Sequence, residues 1–66
     1  MNWFATVRQE WIAEMLRVYG FINREHLIRK FGISVPQASK DLAAFQRAHP
    51  NAIVYNARAK FYQRPR

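Results

Sequence analysis

The sequence predicts a mainly α fold: three helices followed by a small β-hairpin. Three observations predict it. Apolar residues recur at helical spacing through three segments before His49. Two of those segments are separated only by Gly32-Ile33-Ser34. After "HPN" at 49 to 51 the period changes to that of a strand. The 66 residues are expected to form a single domain over 1–66, near the lower size limit for a self-sufficient core. Hydrophobic residues make up 50% of the chain and aromatics 15%, which argues for a packed domain over a disordered tail.

The first helix is expected over 3–19. Phe4, Val7, Trp11, Met15 and Val18 recur at helical spacing, and Ile12, Leu16 and Tyr19 widen the stripe. Arg8, Glu14 and Arg17 are placed on the other side. Gly20 stands where a C-cap glycine belongs. The second helix is expected over 24–31. Asn23 is its N-cap, and Glu25 lies in the first turn, where the dipole favours an anion. Leu27, Ile28 and Phe31 supply its inward face, and Arg29, Lys30 and Gly32 close it.

The third helix is expected over 35–48. Ser34 is its N-cap and Gln37 follows three residues on, the spacing of a capping box. Pro36 falls in the first turn, where a missing N–H costs nothing. Ala38, Leu42 and Phe45 face inward. The hairpin is expected over 52–64, with "AIVYN" and "KFYQR" as strands and "ARA" as a short basic turn. A glycine-bearing link as short as Gly32-Ile33-Ser34 joins two helices at a steep angle, the helix-turn-helix. Ile33 is apolar inside this turn and is expected to plug the corner. The hairpin then forms a wing, so the class is a three-helix winged helix-turn-helix.

Charge bears on function. Eleven Lys and Arg against four acids give a net charge of +7, and no acid follows Asp41. Such a surface suits a polyanion; the other reading is a solubilising excess. The absence of cysteine excludes disulfides and thiolate metal sites. No apolar run is long enough to span a membrane, and "MNWFATVRQE" lacks the start of a signal peptide, so a cytoplasmic location is expected.

The first turn of the third helix is unusually bare. In a helix-turn-helix this end enters the major groove, so its side chains must stay off the core. Gln37 can pair bidentately with adenine, Ser39 can donate or accept, and Lys40 can meet a guanine edge or a phosphate. Val35 can touch a thymine methyl. Ser34 and Pro36 complete the small, approachable terminus, which itself attracts phosphate. Arg24 and Arg47 are expected on the DNA backbone, together with Arg58, Lys60 and Arg64 of the wing.

The run "GISVPQASKDLAAFQ" resembles the recognition-helix signature of winged helix-turn-helix regulators of the DeoR type. Together with "HPNAIVYNARAKFYQRP" it is most similar to the N-terminal domain of bacterial transcription regulators that carry a C-terminal WYL ligand-sensing domain. The likeness covers roughly residues 20 to 65. It implies a sequence-specific double-stranded-DNA-binding repressor, with Gln37, Ser39 and Lys40 at base-facing positions and Asp41 in a structural role. The Pro-Gln-Ala-Ser stretch departs from the more basic run usual in DeoR relatives.

Other readings stand beside these. Ser34 and Gln37 can serve only as caps. Asp41 is expected to pair with an Arg or Lys. Tyr55, Phe61 and Tyr62 can stack on single-stranded bases or fill the core. Ser34, Asp41 and His49 include the residue types of a catalytic triad, but no nucleophile turn exists, so no enzyme is expected. His26 and His49 are isolated, so neither a metal nor another cofactor is expected. Trp3 and Trp11 fit a membrane-facing stripe less well than a core or a dimer interface. The stripe on the first helix is too wide for one buried face, so a homodimer through that helix is expected. From a different class, the same scaffold can act as an adaptor or inhibitor that binds an acidic protein partner.

Overall fold

A computed structural model describes residues 3–65; Met1, Asn2 and Arg66, at the ends of the expected domain, lie outside the described residues. The chain forms α1 (Trp3–Val18), β1 (Phe21–Ile22), α2 (Arg24–Phe31), α3 (Val35–Ala48), β2 (Val54–Asn56) and β3 (Phe61–Gln63). The three strands make one antiparallel sheet in the order β1-β3-β2. The expected hairpin is therefore part of a three-stranded sheet. Ile22 pairs with Tyr62 on one side of β3, and Tyr55 pairs with Tyr62 on the other. β1 has only two residues, too few for a period, and exists because β3 returns beside it.

Local signals set the helix bounds. Asn23 caps α2 by accepting from His26 N–H at 3.1 Å, and His26 Nδ1 accepts in return from Asn23 N–H at 3.2 Å. Gly32 ends α2 in the left-handed conformation, φ 64°, and donates its N–H to Ile28 O at 2.8 Å. Ser34 Oγ then caps α3 by accepting from Gln37 N–H. The return half expected of Gln37 is not made, because its side chain turns forward to Asp41. The reciprocal box belongs to Asn23 and His26.

The core is Ile12, Leu16, Ile22, Leu27, Ala38, Leu42, Phe45 and Ile53. The expected inward faces of α2 and α3 are the observed ones, and Ile33 packs against this cluster at the corner of the turn. The face of α1 differs from expectation. Its buried residues are Ile12 and Leu16. At 100° per residue these lie to one side of the Phe4–Val7–Trp11–Met15–Val18 stripe. Phe4 and Val18 are exposed, while Trp11 is half-buried through an edge-on contact with Phe31 of α2, ring centroids 5.5 Å apart. The apolar arc of α1 is wider than its partners cover: Ile12 and Leu16 enter the core, Trp11 and Met15 pack against its rim, and Trp3, Phe4 and Val18 stay exposed.

Candidate nucleic-acid interface

The burial of α3 defines its outward side. Ala38, Leu42 and Phe45 face the core. At 100° per residue, Pro36, Lys40, Ala43 and Arg47 lie opposite them. Pro36, Lys40 and Arg47 are exposed, and Val35 at the first turn is 50% exposed. Arg47 thus stands in line with Lys40, two turns along. Proline and alanine on this face leave the helix backbone open to close approach. Gln37 and Ser39 flank the face on either side, both half-buried.

On the Gln37 side, α3 meets α1. Asp41 is 5% exposed and holds a two-pronged contact from Arg8, Nε to Oδ2 at 2.6 Å and Nη2 to Oδ1 at 3.3 Å. Gln37 Nε2 donates to the same Oδ1 at 2.9 Å. Gln9 Nε2 donates to the Asp41 carbonyl at 2.8 Å. Arg8 was expected on the polar side of α1; instead it packs against α3, with its side chain 14% exposed. Left bare, the Asp41 carboxylate would set a negative charge beside the exposed basic face of α3, and Arg8 neutralises it. Lys40 and Arg47 line the same groove between α1 and α3.

On the Ser39 side, α3 meets the N-terminus of α2 and the wing. Arg24 Nη1 donates to Ser39 Oγ at 3.4 Å. Asn23, Arg24, Ser39, Tyr55, Lys60 and Tyr62 surround a pocket of about 230 Å³ that contains no carboxylate. The wing turn is one residue longer than the expected "ARA". Lys60 belongs to it and adopts φ 62°. Asn56 builds the turn: its carbonyl accepts from Lys60 N–H at 2.7 Å, and its Oδ1 accepts from Ala59 N–H at 3.0 Å. Asn56 Nδ2 also donates across the hairpin to Gln63 Oε1 at 3.0 Å. Arg58 is exposed at the tip. Tyr55 and Tyr62 lie against one another with ring centroids 4.8 Å apart.

Arg64 lies elsewhere. Its N–H donates to Gly20 O at 3.0 Å, and its guanidinium lies over Gly20, beside Pro65 and Tyr19. This is the end of the sheet away from the wing turn. Ser34, Val35, Pro36, Gln37, Ser39, Lys40, Arg24 and Lys60 are gathered around one end of α3; Arg47 extends the row, Arg58 marks the wing tip, and Arg64 stands apart.

Sequence reasoning missed Arg8, Gln9 and the cap role of His26. The signal for Arg8 was indirect: Asp41 is the only acid of α3 and needed a cation. Two of the other three acids are also paired, Glu14 with Arg17 and Glu25 with Arg29. Among the described residues, Arg24, Lys40, Arg47, Arg58 and Lys60 take part in none of these ion pairs.

Three helices, a short glycine turn and a hairpin beside an open helix terminus define a winged helix-turn-helix. The chain belongs to the family of the BrxR transcriptional regulator winged helix-turn-helix domain, whose family model matches residues 5–66. It is 41% identical over 62 residues to the DNA-binding transcriptional repressor CapW of Escherichia coli strain KTE188, and also to the repressor of that name from Pseudomonas aeruginosa. The CapW repressor of Stenotrophomonas maltophilia is 37% identical over 62 residues. Each match covers 94% of this chain and 21% of the relative, so the chain spans about a fifth of the length of the curated relatives it matches.

Proposed function

We propose that this chain is a DNA-reading domain that binds a specific double-stranded sequence and thereby represses transcription in the cytoplasm. The observation that carries the reading is that Arg24, Lys40 and Lys60 stand at the N-terminal end of α3, Arg47 continues the same exposed face to its last turn and Arg58 marks the wing tip, none of them in an ion pair among the described residues. The relatives named as DNA-binding repressors support it.

In this reading the N-terminus of α3 enters the major groove. Ser34 and the positive end of the α3 dipole meet a phosphate, and Pro36 lets the helix approach. Val35 meets a thymine methyl, while Gln37, Ser39 and Lys40 face base edges. Arg47 reaches the backbone along the groove. Arg24 and Lys60 hold a phosphate over the pocket they share, and Arg58 reaches the neighbouring groove. Arg64 adds to the positive field and not to the contact surface. The role is binding, not catalysis.

The domain acts as a pair. Trp3 is 70% exposed and Phe4 66%, their rings 5.0 Å apart, and Val7, Trp11, Met15 and Val18 continue the apolar arc along α1. A second copy is the occupant that fits this face, and a two-fold pair reads a palindrome.

The test is selection of bound sequences from a random duplex pool. The reading predicts one enriched motif. Failure to enrich any sequence, together with tight binding to an acidic protein, would replace it with the adaptor role.

A further inference from the structure

We propose that Asp41, held by Arg8, is a positioning residue that sets which base Gln37 reads, and that this base is adenine. The inference rests on the DNA reading above. An ionised carboxylate offers only acceptors, so the end of the Gln37 amide turned toward it must be Nε2, as the 2.9 Å contact has it. The carboxylate is itself immobilised. Arg8 grips both of its oxygens at 2.6 and 3.3 Å, and Gln9 ties the Asp41 backbone to α1 at 2.8 Å. With Nε2 committed on one side, Gln37 presents Oε1 and its second N–H outward.

That edge is one acceptor beside one donor. In the major groove, adenine presents an amino donor beside the N7 acceptor, while guanine presents two acceptors. A freely rotating glutamine can turn its Nε2 group toward guanine and satisfy it in part. Turning Gln37 that way points Oε1 at the Asp41 carboxylate, where two acceptors meet with no proton between them. The network therefore rejects guanine as well as accepting adenine. Rejection of this kind separates a base-reading residue from one that only touches DNA. The arrangement also accounts for a buried ion pair beside a phosphate-binding face: the pair orients the reader without showing the DNA a bare negative charge.

The test uses the domain and pools of duplex DNA. The variant Arg8→Met with Asp41→Leu replaces the buried pair with apolar groups of similar size, a change that folded proteins tolerate. The unaltered domain is expected to select adenine at one position. The double variant is expected to keep its melting temperature and salt dependence while its preference for adenine over guanine there falls about tenfold. Adding Gln37→Ala is expected to cause no further loss of that preference. An unchanged preference in the double variant, or an equal further loss on adding Gln37→Ala, overturns the proposal. A second measurement is independent of that variant's fold and of DNA. In the unaltered domain one Gln37 side-chain N–H is expected to exchange with water about tenfold more slowly than those of exposed Gln46. Equal exchange overturns the proposal. Failure of the unaltered domain to select any sequence overturns the DNA reading itself, even where Gln37 exchange is slow.

Discussion

Arg8 and Asp41 are 33 positions apart in sequence and 2.6 Å apart in space, and losing one is not like losing both. Arg8→Ala leaves a buried carboxylate with Gln37 as its remaining side-chain donor. The expected cost is about 3–5 kcal/mol, most of the stability of so small a domain, measured by urea denaturation. Arg8→Met with Asp41→Leu is expected to stay within about 1 kcal/mol of the unaltered domain on the same argument. The exposed pairs Glu14–Arg17 and Glu25–Arg29 lie in water and contribute little. Lys60 is a residue of the opposite kind. Its left-handed backbone is strained for a side chain with a Cβ, whereas glycine takes it freely. Lys60→Gly is expected to raise stability by roughly 0.5–1 kcal/mol and to weaken DNA binding. Thermal melting and a DNA titration of one preparation check both, and a gain in both would remove Lys60 from the interface.

At the scale of elements, the proposed DNA reading gives the wing a separable part of the binding. Arg58 and Lys60 lie exposed in its turn and in that reading contact phosphates or the neighbouring groove. Replacing both with Gln should weaken binding to every sequence alike and flatten the log–log salt dependence by about two. An unchanged slope would mean that the wing points away from DNA. Elements also mark the limit of what the sequence made legible. The expected bounds of α2 and α3 agree with those observed because Asn23, Gly32 and Ser34 act on their own neighbours. β1 was not legible, since Phe21 and Ile22 become a strand only by pairing with Gln63 and Tyr62. The wing turn was placed one residue short because Lys60 takes a conformation that its residue type does not advertise. The bare first turn of α3 was legible as a surface left off the core. The partner of Asp41 was not, because which cation reaches it depends on how α1 packs on α3.

At the scale of the molecule, the basic end of α3 and the Trp3, Phe4 and Val18 part of the α1 arc are exposed among the described residues. The arc was legible as excess hydrophobicity, but its position was not, because Ile12 and Leu16 take the core and leave Phe4 and Val18 in water. Trp3→Glu is expected to turn a dimer into a 7.9 kDa monomer with its fold intact, read by sedimentation at micromolar concentration. A monomer before the substitution would contradict the pairing. Sequence-specific DNA binding is the central claim. It is tested most directly by titrating the domain onto its selected duplex and onto a scrambled duplex of equal length, between about 50 and 200 mM salt. The predicted result is affinity that falls steeply with salt for both, with the selected duplex bound at least about a thousandfold more tightly than the scrambled one. Equal affinity for the two duplexes across that range would contradict it.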